Sequence, residues 1–207
     1  MLAFFLQISW QEYLGVFLSM IQVLLARKNN PTNYLFGIGG VLLTMYIMFH
    51  AKLYAEFTLN LYYLVMSIYG WYIWKWGKEH HQKPISTATK TDLIKVISII
   101  ILSFTLSFWI LKNYTNTDVP VWDALVSAFA WAGMWLMAER KVENWWVLNV
   151  SNLIAIPLML HKELYLYAFL SVFLFVVAIL GFVNWKKIMM ENDQSQTNWD
   201  FDKNKFG

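Results

Sequence analysis

Side chains able to do chemistry inside the apolar runs of this chain are few, and they fall on two helical stripes. In the run 145–161, Trp145, Asn149 and Asn152 recur at i, i+4 and i+7, one face of a helix, with Asn152 near mid-depth. In the run 54–76, Glu56, Asn60, Tyr63 and Ser67 recur at i, i+4, i+7 and i+11, again one face. Amide, phenol and hydroxyl groups in apolar helices face a cavity or a neighbouring helix, because lipid cannot satisfy them. The spacing therefore predicts either a binding site for a polar ligand or polar packing between helices. Trp131 and Trp135 share a face of the run 122–138, where an indole stacks equally well on a flat ligand or on another helix. Pro157 takes one backbone hydrogen bond out of its helix, and Gly37, Gly39 and Gly40 thin another, so both helices are expected to bend.

Other chemistry is excluded or unsupported. Cysteine is absent, which removes disulfides, thiol nucleophiles and thiolate metal sites. The sequence has no phosphate-cradling loop, no dinucleotide turn and no HExxH pair. Of four histidines, His80 and His81 sit beside Glu79 in a polar loop without a third ligand, and His50 and His161 lie at corresponding ends of two apolar runs. The expectation is a protein that is not an enzyme, with no catalytic residues, metal or cofactor and no nucleic-acid partner.

The elements that must position the stripes are membrane helices. Hydrophobic residues make up 58% of the 207 and charged residues 14%, against about a quarter charged in soluble domains. Seven runs, 6–26, 33–49, 54–76, 93–111, 122–138, 145–161 and 164–185, are long enough to cross about 30 Å of hydrocarbon, and none alternates with period two. The N-terminus has neither a basic region nor a cleavage site, so it is expected to stay in the first span. Threading the runs puts 13 of the 16 Lys and Arg residues on one side, which makes that side cytoplasmic, the N-terminus external and the C-terminus internal.

The chain also contains a diverged copy of itself. At an offset of 111, Tyr34 aligns with Trp145, His50 with His161, Leu53-Tyr54 with Leu164-Tyr165, Gly70 with Gly181, Trp74 with Trp185 and Lys75 with Lys186. The fold expected is all-α and integral to the membrane, with seven transmembrane helices as two parallel three-helix repeats joined by a linker helix, 3+1+3. The units are 1–76, repeat one; 77–121, cytoplasmic loop and linker; 122–190, repeat two; and 191–207, a polar cytoplasmic tail. The loop 77–91 is expected to be a flexible joint and the tail disordered. Asn149 and Asn152 align with Ile38 and Val41, and Asn60 and Tyr63 with Ser171 and Leu174, so a site built on these stripes is asymmetric.

The string Tyr63 to Trp74, after Leu53-Tyr54-Ala55, and the string Trp135 to Lys141 with Glu143-Asn144-Trp145 to Asn152 resemble the PnuC family of bacterial vitamin transporters over nearly the whole chain. The resemblance implies an inner-membrane carrier with a fold like a full-length SWEET, often trimeric. Its substrate would be nicotinamide riboside, with relatives that carry thiamine or riboflavin. Transport would be facilitated diffusion with alternating access, kept inward by a cytoplasmic kinase that phosphorylates the substrate. The family motif Trp-x-x-Trp-x-x-x-Asn/Asp maps onto Trp145, Leu148 and Asn152, with Leu148 in place of the second Trp. On this reading Trp145 and Trp131 stack on a planar vitamin, and Asn149, Asn152 and Asn60 bond its hydroxyls or ring substituents beside Tyr63.

Overall fold

Every apolar run becomes a helix because its backbone has no other partner in lipid. The structure, a computed structural model, describes residues 9–50, 52–76 and 83–206. Seven helices follow in order: α1 Trp10–Arg27, α2 Asn33–His50, α3 Tyr54–Trp76, α4 Lys90–Tyr114, α5 Pro120–Ala138, α6 Asn144–His161 and α7 Tyr165–Phe206. Among the described residues, α2, α4, α5 and the first 28 residues of α7 are long and apolar enough to cross a membrane. The polar stripes of α3 and α6 dilute their hydropathy, so composition alone is weakest for the helices that carry the candidate site.

Sequence marks the starts of the helices better than their stops. Ser9 caps α1 by accepting from the Glu12 amide, Thr89 and Asp92 form a capping box on α4, and Pro120 opens α5. Helices α1, α2, α5 and α6 stop without glycine. Asn29, Lys52, Arg140 and Glu163 take left-handed φ of 55°, 59°, 54° and 58°, each costing about 1–3 kcal/mol for a side-chain-bearing residue. Each is followed by a backbone bond that wraps the helix end, Asn30 to Leu25, Leu53 to Met48, Lys141 to Leu136 and Leu164 to Met159. Asn29 and Arg140, like Lys52 and Glu163, are 111 residues apart.

Contacts join α1 to α2, α2 to α3, α3 to α5, α5 to α6, α6 to α7 and α7 back to α1, a closed cycle of six helices. Helix α4 packs mainly on α5, outside the cycle. Two seams of the cycle, α3 on α5 and α7 on α1, use the same device. The Trp74 indole, at the end of α3, donates to the Met137 and Ala138 carbonyls at 3.1 and 3.2 Å. The Trp185 indole, on α7, donates to the Ala26 carbonyl at 2.9 Å. Each ties an indole across the seam to carbonyls in the last turn of a helix, of which Ala26 and Met137 also accept backbone amides.

Two expectations are corrected. The described part of the loop, 83–89, is not a free joint but an extended strap laid against the α5–α6 turn. Ile85 is buried with Trp74, Trp145 and Trp185, and Ser86 exchanges backbone bonds with Arg140 and Val142. An apolar anchor and paired backbone outweigh the polar composition of this segment. Glu79, His80 and His81 lie outside the described residues. The tail expected to be disordered is helical, since α7 runs on to Phe206.

Candidate functional site

At the end of the molecule with few lysines, α2, α3, α5 and α6 and the end of α4 enclose a cavity of about 250 Å³. Glu56, Asn60 and Tyr63 of the α3 stripe line it, facing Asp123 of α5 and Lys162 just past α6. Asn60 Nδ2 donates to the Glu56 carbonyl at 2.9 Å and lies 3.3 Å from the Met48 sulfur. The Glu56 carboxylate, half-buried, has no hydrogen-bond or ion partner among the described residues. Lys162 is held by both Asp123 oxygens at 2.6 Å, and Thr117 donates to the same carboxylate at 2.5 Å. A wider recess of about 520 Å³ shares Glu56, Thr117 and Lys162 with this cavity and continues to Lys52 and Asp118. Glu56 therefore stands where the two spaces meet.

Trp131 lies behind the cavity wall. Tyr62 stacks on its indole at 4.2 Å and 12° and donates to the Trp131 carbonyl at 2.9 Å. Tyr63 meets it edge-on at 6.5 Å. The ring that lines the cavity is Tyr63, with Trp131 stiffening it from behind.

The α6 stripe leads away from the cavity. Met159 lines it, and Asn152, seven residues earlier on the same face, sits about 10 Å deeper along the helix. Asn152 is half-buried, and its side chain makes no hydrogen bond among the described residues. Asn149 is 5% exposed, with Oδ1 unpaired. Trp145 lies in the apolar core at the far end, 1% exposed, packed edge-on to Trp185 at 5.5 Å and so close over Gly181 that an added Cβ would lie 2.7 Å from the ring. In this conformation it has no open face for a ligand. Its counterpart Tyr34 covers Gly70 in the same way. Leu148 packs on Gly133, where an added Cβ would lie 2.6 Å from its side chain. The structure thus brings Asn60 and Tyr63 together and sets Asn152, Asn149 and Trp145 successively farther off.

Sequence reasoning missed Asp123 and Lys162. The signal was their placement: Asp123 is the only charged residue in the run 122–138, and Lys162 is one of three basic residues assigned to that side.

The lysine-rich end is closed by a latch. Glu139 accepts from Tyr69 of α3 and from Lys83 of the strap. Burial alone would raise this carboxyl, but those two hydrogen bonds and the Lys83 charge hold it below its ordinary value. Arg140, 2% exposed, donates to the Lys83 carbonyl at 2.7 Å and lies over the Trp74 ring at 4.5 Å. Burial pulls its pKa down to about 10, against the opposing effect of Tyr34, so it stays charged at neutral pH. Lys141 bonds Ser86 and Thr87 and pairs with Asp92 at 3.2 Å. Glu143 accepts from the Ala88 amide at 2.8 Å.

A cycle of helices of membrane length, latched at one end and hollow and polar at the other, defines a membrane transporter. The family model for nicotinamide mononucleotide transporters matches residues 9–187, and the chain belongs to that family, the PnuC family. It is similar to the nicotinamide riboside transporter PnuC of Escherichia coli (strain K12), 24% identical over 204 residues that cover 86% of this chain and 85% of the relative. The protein of the same name from Neisseria mucosa is 23% identical over 195 residues, covering 87% and 73%. A crystal structure of the vitamin B3 transporter PnuC superposes with a TM-score of 0.70 at 21% identity, covering 88% of this chain and 83% of that one, which shows the fold.

Proposed function

We propose that this protein takes up nicotinamide riboside by facilitated diffusion through the bacterial inner membrane, holding it in the cavity of Glu56, Asn60 and Tyr63. The observation that carries this reading is the cavity itself: a space of about 250 Å³ with the Tyr63 ring in its wall and a few polar groups in an otherwise apolar setting. A nucleoside fits it in kind, with a flat ring for Tyr63 and hydroxyls for Asn60. Asn152 and Asn149 continue the polar face inward, as a path once the latch opens.

The 3+1+3 arrangement of parallel repeats, with the unit boundaries given above, is supported by the left-handed pairs 111 residues apart and by the matching Trp74 and Trp185 seams. The lysine-rich end is cytoplasmic by the positive-inside rule. The conformation is then open outward and latched inward, and rocking one repeat against the other exposes the site to each side in turn. A cytoplasmic kinase retains the product. Thiamine is the second reading, favoured by one observation: Leu148 stands where the family motif has its second Trp.

Purified protein in liposomes should equilibrate labelled nicotinamide riboside without nucleotide, and Asn152→Leu should weaken its binding by about 1–3 kcal/mol, the cost of an unpaired buried polar group. Accumulation driven by a sodium or proton gradient would sink facilitated diffusion. A monodisperse Asn152→Leu protein with unchanged affinity would remove α6 from the path.

A further inference from the structure

We infer that Glu56 is the charge filter of the site: its carboxylate admits a cationic nucleoside and refuses the same nucleoside once phosphorylated. This rests on the reading of the cavity as the substrate site and adds the property that sorts its ligands.

Among the charged side chains that line the inner cavity, Glu56 and Asp123 face one base, Lys162. Lys162 and Asp123 neutralise each other at 2.6 Å, which leaves Glu56 as the uncompensated charge. In the outer recess Lys52 joins Glu56 in the lining, and Asp118 is bonded to His161 at 2.8 Å. A solute moving inward therefore leaves a recess lined by the basic Lys52 for a space whose one base is already taken by Asp123, and Glu56 is at the junction. Walls of low dielectric make that charge count for more than it would in water. Its place in the first turn of α3 also sets its negative charge at the positive end of the helix dipole. That alone would account for a carboxylate in an exposed first turn. It does not account for one that lines both spaces while every other acid there, Asp118 and Asp123, has a partner.

The chemistry of the ligands separates on this charge. A nicotinamide ring joined to ribose through its nitrogen is a pyridinium and carries a permanent positive charge. Adding a 5′-phosphate makes the molecule a net anion. Reducing the ring to the dihydropyridine makes it neutral with nearly the same shape. Glu56 attracts the first, repels the second and is indifferent to the third.

The test measures binding of three probes, nicotinamide riboside, its reduced neutral form and nicotinamide mononucleotide, to the purified full chain in detergent. The wild-type protein should prefer the cationic riboside to the neutral form by on the order of tenfold, with the mononucleotide weakest. Glu56→Gln should collapse that preference toward unity and narrow the gap to the mononucleotide, and Glu56→Asp should keep the order. A wild-type protein that binds the neutral form as well as the cation overturns the inference without any variant. So does a monodisperse Glu56→Gln protein whose preference is unchanged. If the wild-type chain binds thiamine and none of the three, the substrate reading fails instead, and thiamine binding by Glu56→Gln then decides on Glu56, since the thiazolium is also a permanent cation.

Discussion

The two ends of this molecule are built from similar residues to opposite effect. At the lysine-rich end a set of rings and charges closes space. Trp145 and Tyr34 press onto Gly181 and Gly70, two indoles cap helix ends from across the seams, and the strap brings Lys83, Ile85 and Ser86 to the α5–α6 turn. At the other end, charges pair only at the wall, Asp123 with Lys162 and Asp118 with His161, and a cavity remains between them. The difference is one of backbone approach. Where glycine lets a ring lie on a helix, the helices close, and where Asn60, Tyr63 and Glu56 stand between them, they do not.

The largest expected effect comes from breaking that close approach. Gly70→Ala and Gly181→Ala place a Cβ 2.4 and 2.7 Å from the Tyr34 and Trp145 rings, and each should destabilise the protein by about 1–3 kcal/mol. Gly15→Ala meets nothing within 4 Å and should change stability by less than about 1 kcal/mol, in the stabilising direction. Thermal unfolding of the three variants in detergent checks the contrast, and equal losses would show that ring-on-glycine packing does not set the sealed end apart.

A smaller effect belongs to the latch. The Glu139 carboxyl is held below its ordinary value of 4.5. Its contribution is therefore complete above that value and is lost as pH falls through the lower, folded-state value. Acidification should loosen the strap, read as falling hydrogen-exchange protection of the Ser86 and Val142 amides that bond across it, and Glu139→Gln should be loose already at neutral pH and flat across the acid range. Full protection in Glu139→Gln would assign the closure to Arg140 and Ile85 alone.

The seven helices and part of the site were legible in the sequence, because apolar runs and side-chain identities mark them. The runs mark the spans, and Asn60 and Tyr63 are visible as polar groups on one face of an apolar helix. What was not legible is conformation without a residue signature. Nothing in Lys52, Arg140 or Glu163 announces a left-handed φ, since none is glycine or asparagine, and Asn29 alone is of a type that region favours. The strap reads as polar loop because its one apolar anchor, Ile85, is a single residue. Helical spacing put Trp145 on a face with Asn149 and Asn152 but could not say what covers that face. The clue was Gly181, whose alignment with Gly70 marks two positions where a ring replaces a side chain.

The central claim is that substrate occupies the cavity walled by Tyr63 and reaches it from the end opposite the lysines. Because the chain has no cysteine, Tyr63→Cys carries a single thiol, and its labelling by a membrane-impermeant reagent in right-side-out vesicles tests both halves of that claim. The result expected is labelling from outside that nicotinamide riboside suppresses with a dose dependence matching its binding to the same variant. Labelling that the riboside leaves unchanged in a variant shown to bind it, or labelling only from the cytoplasmic side, would contradict the account.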